Sequence, residues 1–496
     1  MQYNFFYDES EHSREIGFET VMASNFYDNF VAVIVGWRDD YQSSIEAKYR
    51  EFENKYGYRK SKGELKSHTI KNAQLKYGFA SMSDENVKFI DDFLSLFTEN
   101  SYLYFSSISK VEYIVNQLFQ DYHNSLFEDM DAFKYSITKA LVINRPKELI
   151  NCIYHEPNSF ISALKDFFKK KIEIDQKNQE LKKYEIMAFR QILLLLDDIQ
   201  VPLELKWDYH PPFDGFQLFL REHSIKDYSL TIDREGEHHK TACAAKEIGL
   251  KNVHELDSTE HFAIRMADIM AGLISKFMKS ICQSIHPADQ NDVQKTILPI
   301  EWFKLNAEQL QLYKKLHYVI CELNNSWYKS YAGIYSDDLI SVVSLLEFIN
   351  HFLSVEEIQK DIAKQGEYFN SYACQCLSDY YDKMRNKLPI DPIDKTETEY
   401  YFDQRGAKVY YDTLKQPKLT INDGSIRYHV LSVGFDRNNV PLITIEEKNQ
   451  PVCYRLPNQL LDWTMTAVAM ANMGDNVFPS DVVFTKKEGK YYADIL

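Results

Sequence analysis

The hydrophobic and polar positions fall into stretches with different periods. Short, nearly unbroken apolar runs at Tyr3–Asp8 and Phe30–Trp37, followed by Ser101–Val111, predict buried strands. The polar stretch Glu9–Asn29 between the first two predicts a long-looped hairpin. Helical spacing marks Ser43–Tyr56 (through Ile45, Tyr49 and Phe52), the amphipathic Asn86–Phe97, and most of Asp131–Leu196. Strands and helices then alternate: strand Leu203–Asp208, helix Phe213–Glu222, strand Tyr228–Asp233, a helix from Lys240, strand Val253–Leu256 and helix Glu260–Lys279. Strands that first meander and then alternate with helices predict an α/β chain built on a mixed sheet with helices packed against it.

Past residue 280 the pattern changes. Residues 281–300 are polar around His286-Pro287, and 301–385 read as nearly all helical. Lys387-Leu388-Pro389-Ile390-Asp391-Pro392 is the best linker in the chain. Beyond it the sequence is strand-rich, with turn signals at Asn422-Asp423-Gly424 and Arg437-Asn438-Asn439, a hairpin tip at Glu488-Gly489, and one helix over about Pro457–Asn472. The expected organisation is an α/β domain over 1–280, a helical region over 281–390 and a β-rich C-terminal domain over 391–496.

Composition narrows the class. With 496 residues, 45% hydrophobic and 26% charged, the chain is ordinary globular protein and not collagen-like or disordered. Its 16 Gly and 14 Pro are few for this length, which favours long helices. A net charge of −16 argues against coating nucleic acid through bulk positive charge, though a local basic patch would still serve. No apolar run approaches a membrane span, and the N-terminus lacks the basic start and apolar run of a signal peptide. The seven cysteines are scattered, which fits reduced thiols. A cytoplasmic protein without a membrane partner is expected.

The usual catalytic signatures are missing: there is no phosphate-cradling Gly loop, no His-Glu-x-x-His and no Gly-x-Ser-x-Gly. What remains is a set of acids at the ends of elements. Asp8 ends the first strand, Glu64 follows the basic loop Arg59-Lys60-Ser61-Lys62-Gly63, and Asp208 and Asp233 each end a later strand. Asp268 lies within a helix, off its apolar face and beside the small residues Ala271, Gly272 and Ser275. Carboxylates at the ends of neighbouring parallel strands converge, and converged carboxylates repel unless protonated or bridged by a cation. Oxygen ligands of this kind suit Mg²⁺ or Mn²⁺, the ions of phosphodiester cleavage. Taken singly, each acid reads first as a strand cap or a solvated side chain.

Phe6-Tyr7-Asp8-Glu9-Ser10, Glu64-Leu65-Lys66 and Asp257-Ser258, with Ile264-Arg265-Met266-Ala267-Asp268-Ile269-Met270-Ala271-Gly272, resemble the domain-of-unknown-function 3800 family over about residues 1–280. The resemblance implies a ribonuclease H-like fold, and a bacterial setting often associated with defence against phage. It implies that Asp8, a middle-strand Asp and Asp268 meet as metal ligands, with Glu64 as a fourth acid or support. The middle ligand is either Asp208, preferred for the long helix before it and the length after it, or Asp233, which would place an extra strand before it. Glu11 stands where the family carries Gly, so a different turn is expected there.

Basic residues offer candidate phosphate contacts. Lys165–Lys183 is the most basic segment and includes Lys169, Lys170 and Lys171; Lys66 flanks Glu64. Either set reads as a solvated face or as a grip on DNA or RNA. The leading expectation is a Mg²⁺- or Mn²⁺-dependent nuclease acting on nucleic acid. The alternative is a ribonuclease H-like module without catalysis, which docks a protein partner or a second copy through its helical or C-terminal region.

Overall fold

The computed structural model describes all residues except 1, 12–15, 124–128, 198, 201–204, 206–209, 235–238, 287–292, 294, 296, 326, 332–334, 386–416, 423, 436–439, 448–449, 473–476 and 488. The chain divides into two compact units, Met1–Asn386 and Lys387–Leu496.

The first unit is an α/β structure on one mixed sheet. Its strands are β1 (Tyr3–Ser10), β2 (Asn29–Arg38), β3 (Ser101–Ser109), β4 (Tyr228–Asp233), β5 (Val253–Leu256) and β6 (Trp327–Tyr331), in the spatial order β5-β4-β1-β2-β3-β6. β1, β2 and β3 form an antiparallel meander; β4 lies parallel to β1, β5 parallel to β4, and β6 parallel to β3. The expected long-looped hairpin is therefore present as β1 and β2, with Asp8 opposite Val33. β3 stops two residues before the expected Val111, because the Ser109 hydroxyl accepts a 3.0 Å hydrogen bond from the Glu112 amide and starts the helix Lys110–Leu118.

Two-residue periodicity sorts β1 between the faces. Phe5 and Tyr7 join Phe213, Phe216, Leu230 and Ile232 in a core under the helices Pro211–Glu222 and Lys240–Glu247. Phe6 turns the other way, onto Trp37 and His261 with ring centroids 5.3 and 4.5 Å apart. That second face is covered by the helix Phe262–Ile285, with Phe262 stacked on Trp37 at 5.7 Å. A further apolar core joins the helices Lys110–Leu118, Met130–Asn144, Lys147–His155, Phe160–Asp175 and Gln179–Leu195.

Residues 281–385 fall within the first compact unit, and within the mostly helical 301–385 Trp327–Tyr331 adds the parallel edge strand β6. The reason is packing: the helix Asp337–Asn350 lies against Phe262–Ile285, and the edge of β3 is open to one more strand. The strand expected at Leu203–Asp208 lies outside the described residues, apart from Leu205.

The second unit carries an antiparallel sheet of β7 (Gly424–Phe435), β8 (Pro441–Glu447), β9 (Gln450–Arg455), β10 (Ser480–Lys487) and β11 (Lys490–Ile495), in the order β9-β8-β7-β10-β11. Val430, Ile443, Ile445, Val482 and Phe484 build its core with the helix Leu461–Asn472. β10 and β11 pair as a hairpin, with Lys487 opposite Lys490 and Gly489 at φ 75°. All seven cysteines are free thiols, and among the described residues no helix is long and apolar enough to cross a membrane.

Candidate functional site

Asp8 follows Tyr7 near the end of β1, and Asp233 follows Ile232 at the end of β4. Tyr7 and Ile232 are register partners in a parallel pair, so the two aspartates occupy adjacent positions on neighbouring strands. Strand alternation puts both on the face of Phe6 and Thr231, beneath the helix that carries Asp268. Asp8 keeps some accessible surface but is closely ringed by protein. Burial pushes its carboxyl well above the usual carboxylate range, and the negative charges of Asp268, Glu9 and Asp233 add to this against a 2.7 Å hydrogen bond from the Glu9 amide. Asp233 is also raised by burial, although Lys66 lies nearby and the amides of Arg234 (3.1 Å) and Ser258 (3.0 Å) donate to its Oδ1.

Asp268 arrives from the long helix. The sequence left it open as a solvated acid, but Phe262–Ile285 is buried almost all round, with Ile264, Ala271, Gly272 and Ser275 as deep as the apolar face. The segment around Ser67 covers that side. Ser67 donates through its amide (2.7 Å) and hydroxyl (2.9 Å) to the two oxygens of Asp268. Gly272, one turn on, makes room: a Cβ there would fall on the Ser67 side chain and 3.1 Å from the Lys276 amine.

Glu64 reaches the same region through a tight turn. Ser61 and Glu64 exchange backbone hydrogen bonds of 2.8 and 3.1 Å around Lys62 (φ 52°) and Gly63 (φ 87°). The Glu64 side chain is buried, 2.9 Å from the Lys66 amine and 3.4 Å from the Ser258 hydroxyl through each oxygen. Lys66 also donates to Ser258 at 3.1 Å. Burial works against its charge, but Glu64, with Asp268 and Asp233 behind it, outweighs that and holds its proton more tightly than usual. Asp8, Asp233, Asp268, Glu64 and Lys66 thus lie in one electrostatic neighbourhood.

The chemistry of this donor set, all carboxylate oxygen, fits a hard divalent cation, and the repulsion felt by Asp8 is what such a cation relieves. Among the described residues, however, no group of three or more His, Cys, Asp or Glu side chains has the arrangement to hold a metal ion. Asp208, the preferred middle ligand, lies outside the described residues; the strand beside β1 ends in Asp233.

The basic candidates separate. Lys169 and Lys170 are exposed, with Lys169 3.7 Å from Asp166, while Lys165 pairs with Asp197 at 2.5 Å. Lys171 is buried, with its amine 3.9 Å from the buried Asp175 one turn on, so it is less open to a phosphate than its neighbours. At Glu11 the backbone takes φ 60°, a left-handed conformation, and its carboxylate meets Lys279 at 3.4 Å.

Sequence reasoning missed Ser67, Ser258 as a hydrogen-bond partner, and Lys276. The visible signal for Lys276 was the spacing Asp268, Gly272, Lys276, a polar and small stripe at four-residue intervals on a largely apolar helix. Comparison with known proteins adds no relative: no family model, no curated protein and no solved structure matches the chain.

Proposed function

We propose that this protein is a nuclease that hydrolyses phosphodiester bonds of DNA or RNA with the help of Mg²⁺ or Mn²⁺. The observation that carries the reading is the pairing of Asp8 and Asp233 on adjacent parallel strands under Asp268, with Asp8 repelled by both neighbours. The sheet order supports a ribonuclease H-like reading, since an antiparallel three-strand meander is extended from its first strand by two parallel strands. Asp8, Asp233 and Asp268 would hold the ion. When bound it would supply activation of a water and stabilisation of the leaving oxygen. Lys66, held between Glu64 and Ser258, would meet a phosphate oxygen. Ser67 would keep Asp268 aimed at its neighbours. A role in defence against phage or foreign DNA follows only from the family resemblance.

One observation favours the second reading, a module that keeps the fold without the chemistry. Among the described residues no group of three or more His, Cys, Asp or Glu side chains that could hold a metal ion is found. One experiment separates the two. Thermal unfolding and cleavage of labelled DNA and RNA are followed with Mg²⁺, with Mn²⁺ and with a chelator, for the natural chain and for Asp8→Asn. The nuclease reading expects metal-dependent stabilisation and cleavage, both lost in Asp8→Asn. Cleavage that survives chelation, or the absence of any metal response, overturns it.

A further inference from the structure

We infer that Lys276 is an anion anchor of the same site, where it takes a backbone phosphate of a nucleic-acid strand next to the carboxylates. The inference rests on the nuclease reading and extends it to a residue that no sequence motif marks.

The argument starts from the helix Phe262–Ile285. At 100° per residue, positions 268, 272, 276 and 279 share one stripe. Long helical side chains lean toward the N-terminus, so Lys276 folds back over Gly272 toward Asp268. The geometry agrees: the Lys276 amine lies 3.1 Å from where a Gly272 Cβ would be and donates to the Ser67 carbonyl at 3.0 Å. Ser67 in turn holds Asp268. The amine is thus one residue removed from the carboxylate cluster, on a side chain that still has some accessible surface.

Its surroundings differ from those of the other amines nearby. Lys66 is paired with Glu64 at 2.9 Å, and Lys279 with Glu11 at 3.4 Å. For Lys276, by contrast, the hydrogen bond found is to a neutral carbonyl, and Asp268 and Glu11 act on it only at longer range. A partly desolvated ammonium held by a carbonyl is costly unless an anion completes its shell. A phosphate oxygen is the anion that a strand placed across Asp8 and Asp268 would bring, and it would leave the Ser67 hydrogen bond in place. The bland alternative is that Lys276 only balances the charge of the acids. That role would move the pH dependence of the site but not the salt dependence of strand binding.

The test uses the full chain carrying Asp8→Asn, so that strands are bound without being cut. Binding of short labelled DNA and RNA oligonucleotides is measured by fluorescence anisotropy over roughly 50 to 200 mM salt. Adding Lys276→Gln should weaken binding about tenfold and lower the salt slope by about 0.7–0.9. Lys276→Arg should stay within about threefold, because its charge remains. Lys279→Gln, which loses a charge already paired with Glu11, should leave the slope unchanged. If the amide variant does not fold, Lys276→Met, which keeps the buried stem, replaces it. Unchanged affinity and slope in the Lys276 variant overturn the inference, as does a chain that binds no oligonucleotide at all. Cleavage by the natural chain, assayed separately, decides the nuclease reading: binding that depends on Lys276 without cleavage would leave the anion anchor standing and remove the nuclease.

Discussion

Ser67 grips Asp268 at both carboxylate oxygens, through its amide at 2.7 Å and its hydroxyl at 2.9 Å, across 201 residues of sequence. The contact exists because Gly272 lacks a side chain where Ser67 sits. Ser67→Ala removes one donor and should cost about 1 kcal/mol of stability. Gly272→Ala places a methyl group on the Ser67 side chain and should cost about 1–3 kcal/mol. Adding Ser67→Gly to Gly272→Ala removes the atoms that clash, so a double-mutant cycle by urea unfolding should show a coupling of at least about 1 kcal/mol. Additive losses would mean that the loop and the helix do not meet in this way.

Asp8 supplies a prediction about pH. Its carboxyl is raised by burial and by the charges of Asp268, Glu9 and Asp233. The folded chain therefore holds a proton that the unfolded chain has already lost, and stability declines as pH rises from the unfolded value through the folded one. Asp8→Asn removes that decline. With no divalent ion added, the variant should unfold at a higher temperature than the natural chain at pH 7.5, and the difference should shrink as the pH falls toward 4. A variant less stable at pH 7.5 would contradict this.

Asp28 offers a second window, away from the candidate site. It is buried, its Oδ1 accepts from the Val111 amide at 2.9 Å, and its Oδ2 has no hydrogen-bond partner. Burial pushes it up to about 6, so stability should fall between about pH 4 and about pH 6 as the unfolded chain releases its proton first. Asp28→Asn keeps the acceptor for Val111 and drops the charge. Above pH 6 it should exceed the natural chain by an amount on the order of 2–3 kcal/mol in denaturant unfolding. Parallel stability curves for the two proteins would refute the assignment.

The basic hairpin should matter less to nucleic acid than its composition suggests. Lys171 is buried, and Lys165 and Lys169 have acidic partners in Asp197 and Asp166. In the Asp8→Asn background, Lys276→Gln should lower the salt slope of oligonucleotide binding by about 0.7–0.9, while Lys169→Gln with Lys170→Gln should lower it by less. A larger drop in the double variant would return the hairpin to the interface.

The sequence by itself determined the local elements and the alternation that faces them. Phe5 and Tyr7 go to one side of β1 and Phe6 and Asp8 to the other because a strand has a period of two, whatever it packs against. The acids Asp8 and Asp268, with Asp208 or Asp233 as the middle one, and the hairpin tip at Gly489 were legible as candidates for the same reason, since each is marked by a few neighbouring residues. Tertiary structure decided which strands are neighbours. Register between β1 and β4 depends on contacts more than 200 residues apart, and that pairing alone sets Asp233 beside Asp8. It decided that Asp268 is covered and not solvated, because Ser67 approaches through the gap at Gly272. It made Trp327–Tyr331 an edge strand, which a five-residue run inside helical pattern could not announce. It also buried Lys171: a run of lysines states its charge locally, but which of them meets solvent depends on what packs beside it.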